Sequence, residues 1–205
     1  MPNKQPIFIT GIGTGIGKTI VSAVLTEKLQ ADYWKPVQSG DLDNSDTLKV
    51  KSLISNSKTV FHPETYRLTQ PYSPHKSAAL NGIVIEEGKF VLPETDNQLI
   101  IEGAGGLMVP LNDHFLMIDL IKQLHVRVIL VSQNYLGSIN HTLLSIAILK
   151  QYGIDILGII FNGEANADSE NYILQYTGIK LLGHIPEYGI IDKGIIVAAG
   201  KNIGL

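Results

Sequence analysis

The run Gly11-Ile-Gly-Thr-Gly-Ile-Gly-Lys-Thr19 gathers four glycines, a lysine and a threonine into nine residues, a composition suited to holding a polyphosphate. Glycine lets successive backbone N–H groups turn inward around an anion, and a helix that begins there adds partial positive charge. In that setting the Lys18 ammonium reaches terminal phosphates and the Thr19 hydroxyl is offered to Mg²⁺. The usual loop leaves four residues between its first glycine and the glycine before the lysine. Here Ile12 stands in that first place and Gly11 lies one residue back, so five residues intervene. The alternative, a glycine-rich turn before an ordinary helix, gives no packing reason for Gly17-Lys18-Thr19 directly after a strand.

A phosphate-bound Mg²⁺ keeps several waters and takes one or two protein carboxylates. Glu102 ends the apolar run Leu99-Ile-Ile and opens Gly103-Ala-Gly-Gly106. It therefore falls at the carboxyl end of a buried strand, where α/β sheets bind ligands; the competing reading is a solvated strand-end charge. Asp46 closes the polar stretch Asp41-Leu-Asp-Asn-Ser-Asp46. On its own it reads as an acidic residue at a helix N-terminus, with metal ligation the second possibility.

These residues need elements to hold them. Short β-branched runs alternate with longer helical stripes, the pattern of parallel strands buried on both faces and joined by crossover helices. Strands are expected over Pro6–Thr10, Tyr33–Pro36, Gln98–Glu102, Arg127–Ser132, Ile156–Asn162 and Leu181–Ile185. Helices are expected over Gly17–Leu29, Ser45–Ile54, Leu116–Leu124, Ile139–Gln151 and Ser169–Tyr176. Apolar residues cover most of the circumference of the fourth helix, which predicts burial on more than one side. Residues 60–98 carry turn signals without a strong strand and read as an insertion with a short helix around Lys76–Leu80. The tail after Pro186 is apolar, contains glycine and gives no clear element. The expected fold is α/β, a single domain over residues 1–205: a P-loop NTPase-like, doubly wound, mainly parallel sheet flanked by helices.

Composition narrows the function. The chain has 205 residues with Lys+Arg 16 against Asp+Glu 19 and a net charge of -3, which argues against a polyanion partner, so no nucleic acid is expected. Arg67 and Arg127 are the only arginines, so phosphate chemistry must rely on lysine and backbone amides. With Cys 0 there is no disulfide framework, thiolate metal site or sulfur nucleophile. The first residues, Met1–Thr10, read as neither signal peptide nor membrane span, no later apolar run is long enough to span, and a cytoplasmic location is expected. A hydrophobic fraction of 44% with 17% charged residues points to a large interior or to surface covered by another copy.

The motifs together resemble the dethiobiotin synthetase family. They are Gly11–Thr19, Lys35-Pro-Val-Gln-Ser-Gly40, Ser73-Pro-His75, Glu102-Gly-Ala-Gly-Gly106 and Leu136-Gly-Ser-Ile-Asn-His141 followed by Gly158-Ile-Ile-Phe-Asn162. The resemblance spans the chain to about Pro186. It implies ATP- and Mg²⁺-dependent ring closure of 7,8-diaminononanoate with CO2 to dethiobiotin, ADP and phosphate, in a homodimer. By position it implies that Lys18, Lys35 and Thr14 do the chemistry and that Thr19, Asp46 and Glu102 hold the metal. Nucleotide contacts fall to Gly13–Ile20, which includes Gly15, Ile16 and Gly17 of the loop, and to Asp46, Glu102–Gly105, Asn162, Gly163, Pro186, Glu187 and Tyr188. Substrate contacts fall to Ser39 and, across a twofold interface, Asn140 and Tyr172. Apart from the resemblance, Lys35 reads as a strand-end surface lysine, Asn140 as a helix N-terminal residue and Tyr172 as a half-buried aromatic. His75 and His141 are expected to make structural hydrogen bonds.

Two departures stand out. Gly15 occupies a position where the family often has an acidic residue, and both Ile83–Asn97 and the tail after Pro186 are short. Two other classes compete. Switch ATPases of the partition and septum-positioning kind carry a lysine four residues before Gly17, where this chain has Gly13. A corrinoid-acid amidotransferase needs a cysteine glutaminase, which this chain would have to borrow.

Overall fold

The computed structural model describes residues 5–205; the first four residues of the stretch read above as neither signal peptide nor span lie outside that range. In chain order the elements are β1 (Ile7–Gly11), α1 (Lys18–Leu29), β2 (Asp32–Trp34), β3 (Val37–Ser39), α2 (Asp46–Leu53), β4 (Phe61–His62), β5 (Tyr66–Leu68) and α3 (Pro74–Leu80). Then follow β6 (Leu99–Glu102), α4 (Met117–Gln123), β7 (Arg127–Ser132), α5 (Ser138–Gln151), β8 (Ile156–Asn162), α6 (Ala167–Thr177), β9 (Leu181–Ile185) and α7 (Lys193–Lys201).

Seven strands form one sheet in the order β4-β2-β6-β1-β7-β8-β9, and every pairing is parallel. Because side chains alternate across a strand, a continuous apolar run feeds two cores at once. Ile7, Ile9 and Ile100 pack with Val21, Val24 and Ile196 of α1 and α7. Phe8, Leu99 and Ile101 point the other way, against Met117, Ile118 and Ile121 of α4. Leu130, Ile159 and Phe161 meet Ile146 of α5 and Ile173 of α6. Helices thus cover both faces, as expected from the alternation of runs and stripes.

The expected strand and helix positions hold to within a few residues at each end. Three features differ. Residues 60–98 contain β4 at the sheet edge and β5, which pairs with β3 in a separate two-stranded parallel sheet with Val37 opposite Tyr66 and Ser39 opposite Leu68. Strands of two or three residues are too short to print a period of two. The tail forms α7, capped by Asp192, whose side chain accepts from the Ile195 N–H at 2.8 Å. Gly194 and Gly200 lower its helix propensity, and docking compensates: Ile196 and Ala199 are buried and Lys28 Nζ donates to the Gly200 carbonyl at 3.0 Å.

The third difference is a correction. Within one chain α5 is buried along one stripe only, through Ser138, Thr142, Ile146 and Leu149, while Leu144 is exposed. Ile139 and Ile148 flank that stripe half-buried against the core, while Leu144 and Ala147 face outward.

Since α7 is held mainly by Ile196 inserted beside α1, Ile196→Ala is expected to cost about 2–4 kcal/mol. Urea unfolding checks this, and a loss below about 0.5 kcal/mol, the range of an ordinary surface change, would mean that α7 is not docked.

Candidate active site

The loop after β1 takes its shape from positions only glycine fills easily. Gly15 and Gly17 have φ of 76° and 90°, and a Cβ on Gly17 would lie 2.1 Å from Asn162 Nδ2. Gly17 caps α1 without a side chain, which leaves the amides at the head of that helix free to face an anion. Lys18 folds back over the loop and its Nζ donates to the Gly13 carbonyl at 2.6 Å. Burial, with Lys35 nearby as a second positive charge, pushes Lys18 down to about 8 against the smaller opposing pull of Glu102 and Asp46.

Glu102 lies at the end of β6, beside β1, and is buried. A carboxylate so placed must be hydrogen-bonded, and three donors meet it. Thr19 Oγ1 donates to Oε1 at 2.9 Å, Tyr33 Oη to Oε2 at 2.9 Å and Lys35 Nζ to Oε1 at 3.2 Å. Burial and the Glu102 charge hold the Tyr33 hydroxyl well above its usual pKa, so it remains a donor.

Lys35 follows β2 and is buried, so its reading as a surface lysine is wrong. Its ammonium touches Asp46 Oδ2 at 2.7 Å and donates to the Gly103 carbonyl at 3.0 Å in addition to Glu102. Burial alone would lower its pKa; the Glu102 and Asp46 carboxylates outweigh burial and raise it. Asp46 is the first residue of α2 behind the cap Ser45, whose Oγ accepts from the Leu48 N–H at 3.3 Å. Burial pushes Asp46 up, but Lys35 and the Thr19 hydroxyl prevail and hold it below the usual carboxylate range. Asp46 is thus both a helix-end carboxylate and part of the cluster.

Thr19, Asp46 and Glu102 therefore converge as an all-oxygen donor set carrying two charges. Among the described residues no group of three or more His, Cys, Asp or Glu side chains could hold a metal. Two carboxylates and a hydroxyl, completed by water and phosphate oxygens, are the donors a hard cation such as Mg²⁺ takes, so the residues fit that ion.

A cleft of about 610 Å³ opens over these groups, lined by Thr14, Gly15, Lys18, Lys35, Ser39, Asp46, Glu102, Ala104 and Gly105 among others. The Ser39 hydroxyl is buried there with no protein partner, a donor left for something that enters. Asn162, at the end of β8, donates from Nδ2 to the Ile16 carbonyl at 3.1 Å and so lies against the loop. Gly163, Pro186 and Glu187 line a depression of about 570 Å³ with His184 and Asn202. Of the remaining nucleotide candidates, Ile16 turns its side chain into the apolar core, and Ile20 and Tyr188 pack half-buried against it.

Asn140 and Tyr172 do not join this cleft. They lie in a separate depression of about 820 Å³ at the heads of α5 and α6, where Tyr172 stacks on Tyr176. His141 Nδ1 lies 2.7 Å from the Tyr135 hydroxyl, a structural contact as expected. Sequence reasoning missed Tyr33 and Gln38. Nothing in a tyrosine within an apolar strand, or in one glutamine of a motif, marks them.

The phosphate-binding turn between a parallel strand and a helix, with one acidic side chain at the end of the neighbouring strand β6 and another at the head of α2, defines a P-loop nucleotide-binding protein on a doubly wound sheet. The family described as an AAA domain matches residues 5–193. The ATP-dependent dethiobiotin synthetases of Christiangramia forsetii and Cytophaga hutchinsonii are 51% and 50% identical, covering 92% and 93% of this chain and 91% and 93% of their own. The chain belongs to the dethiobiotin synthetase family. Among solved structures it is similar to a ParA family ATPase from Chlorobium tepidum, with a TM-score of 0.59, 13% identity and 98% and 99% of the two chains covered. The septum site-determining protein MinD of Pyrococcus horikoshii gives 0.59 at 16% identity over 96% and 86%. At such identities the likeness is one of fold.

The lowered Lys18 pKa has a sign that can be read out. Between pH 8 and 10.5 the folded chain has lost a proton that the unfolded chain keeps, so this group makes unfolding harder as pH rises through that window. A polyphosphate beside Nζ restores the proton. Calorimetric binding of an ATP analogue at pH 8.5, in buffers of differing ionisation enthalpy, is expected to show uptake of about half a proton or more. Uptake is near zero at pH 7 and is abolished in Lys18→Met.

Proposed function

We propose that this chain catalyses ATP-dependent closure of 7,8-diaminononanoate and CO2 to dethiobiotin, releasing ADP and phosphate. The observation that carries the reading is Lys35, a second buried ammonium held by Asp46 and Glu102 on the wall of the cleft that contains Lys18. Phosphate binding alone needs one such lysine; a second anion in the same cleft accounts for two.

The chemistry follows from charge. One substrate amine adds to CO2 and loses a proton, giving a carbamate anion. Lys35 faces that anion, and Ser39, with its unpartnered hydroxyl, contacts the substrate. A carbamate oxygen attacks the γ-phosphorus, ADP leaves, and a carbamic-phosphoric mixed anhydride forms. The second amine attacks its carbonyl carbon, expels phosphate and loses a proton, which closes the ring. Lys18 bridges the phosphates and the carbamate, while the loop amides and Thr14 follow charge as it moves to the leaving group. Thr19, Asp46 and Glu102 would hold Mg²⁺, whose charge offsets that of the phosphate oxygens. Asn162 with Gly163, Pro186 and Glu187 takes the adenine side. Catalysis here rests on placement and charge, and no side chain forms a covalent bond.

The same reading makes the working unit a homodimer and places it in the cytoplasm. Met108, Leu136 and Leu144 are exposed, and an apolar depression of about 660 Å³ beside the phosphate loop is lined by Leu107, Met108, Leu144 and Ile148. A second copy covering this face supports the placement of Asn140 and Tyr172 across the interface. Among the described residues no helix is long and apolar enough to cross a membrane.

ADP release is expected to require diaminononanoate and bicarbonate together, with stoichiometric dethiobiotin by mass spectrometry. Lys35→Ala should retain ATP binding and lose about 10²- to 10³-fold in turnover. Hydrolysis stimulated by DNA or lipid and indifferent to the diamine would instead indicate a switch ATPase. In sedimentation equilibrium the protein should have twice the mass of one chain, and Leu144→Glu should shift it to monomer; an unchanged mass in that variant would place the interface elsewhere.

A further inference from the structure

Gln38 is buried in the floor of the cleft, and both ends of its amide are spent on protein. Its Nε2 donates to the Gly40 carbonyl at 2.9 Å, and its Oε1 accepts from the Asp46 backbone N–H at 3.2 Å. One side chain therefore joins the turn that carries Ser39 to the first residue of α2. Both partners sit where small displacements matter. Gly40 has φ of 71° and a Cβ there would lie 2.7 Å from the Pro71 Cα, so its backbone is pressed against the loop that forms the rim of the cleft. Asp46 carries the carboxylate that contacts Lys35 at 2.7 Å. The Asp46 N–H belongs to the first turn of a helix, where no carbonyl of that helix can reach it. Ser45 serves the Leu48 N–H, so Gln38 is the side chain that answers the amide of Asp46.

We infer that Gln38 is a positioning residue that fixes the Asp46 carboxylate and the Ser39–Gly40 turn against each other, so that the metal side and the diamine side of the cleft are set by one amide. The inference rests on the function proposed above. It assigns no contact with a reacting atom. It accounts for the buried glutamine, because replacing Gln38 by an apolar residue would orphan two backbone groups at once. Loss of such a bond is felt where its partners act, as a shifted carboxylate and a shifted turn.

The test uses the full chain with Mn²⁺ standing for Mg²⁺ and a non-hydrolysable ATP analogue, and reads Mn²⁺ binding to the nucleotide complex by electron paramagnetic resonance. Gln38→Met, which keeps bulk and removes both hydrogen bonds, is expected to weaken Mn²⁺ binding about five- to tenfold. Asp46→Asn weakens it as well, and the double variant is no weaker than Asp46→Asn alone, because the glutamine acts through Asp46. Gln38→Glu keeps an acceptor for the Asp46 N–H and loses the donor to Gly40. It should bind Mn²⁺ as well as the parent or better while its KM for diaminononanoate stays raised as in Gln38→Met. If Gln38→Met fails to fold by circular dichroism, Gln38→Glu decides alone: weakened Mn²⁺ binding or an unchanged diamine KM overturns the inference. Parent-like Mn²⁺ binding in Gln38→Met, or additive losses in the double variant, also overturns it. Should Asp46→Asn itself leave Mn²⁺ binding unchanged, the metal reading of Asp46 falls and the role of Gln38 with it. Should Asp46→Asn weaken binding while Gln38→Met does not, only the positioning role falls.

Discussion

An ammonium taken out of water must be paired, hydrogen-bonded or shifted in pKa, and at Lys35 carboxylates meet that demand and set the arrangement of the cleft. Asp46 at 2.7 Å and Glu102 at 3.2 Å supply the charge. Glu102, itself buried, then needs donors beyond Lys35, which Thr19 and Tyr33 provide. These five residues sit in or just beside four elements: Thr19 in α1, Tyr33 and Lys35 in and after β2, Asp46 in α2 and Glu102 in β6. The charge balance of one side chain thus fixes the spacing of four elements around the phosphate loop. Removing one carboxylate would leave the buried ammonium a single partner, and removing both would leave it unpaired, a far larger cost than losing a surface ion pair.

How much of this the sequence discloses depends on whether a residue's role is local. The sheet is legible because runs such as Leu99-Ile-Ile and Val128-Ile-Leu-Val are buried on both faces, and no other element explains them. The loop is legible because Gly-Lys-Thr needs only its own neighbours. Glu102 can be read from its place at a strand end. Lys35 cannot, since its meaning lies in contacts made across the fold and only the family resemblance points to it; Asp46 is legible as a helix-end carboxylate, with metal ligation no more than its second reading until the resemblance is added. Tyr33 and Gln38 left no trace at all. The hydroxyl of Tyr33 matters because Glu102, distant in sequence, is its partner, and Gln38 matters through two backbone groups that composition does not mark. In the same way α7 hides behind its glycines, because docking on α1 and not propensity keeps it helical.

The near absence of arginine from the chain fits a site run by two lysines. A guanidinium keeps its charge in any surroundings and binds in a fixed planar fork, whereas an ammonium is a point charge whose pKa responds to what surrounds it. Lys18 shows that response, pushed down to about 8 by burial and by Lys35. Lys35 is moved the other way by its carboxylates. A site in which carbamate, γ-phosphoryl and leaving phosphate exchange negative charge gains from cations that can reach several oxygens in turn without a preferred plane.

One chain does not gather every residue the proposed reaction calls on. Ser39, Lys35 and Lys18 line the phosphate cleft, while Asn140 and Tyr172 lie in a depression of their own. Helix α5, which carries Asn140 in its first turn, leaves Leu144 in solvent although its sequence is apolar almost all round. An exposed apolar face and two proposed substrate residues lying outside the cleft are two separate departures from what a self-sufficient chain would show. Both are accounted for by one assumption: a second copy packs against α5, burying that face and bringing its own Asn140 to the cleft of its neighbour. The apolar excess in the composition then belongs to the interface as much as to the interior, and diamine binding, unlike phosphate binding, becomes a property of the pair.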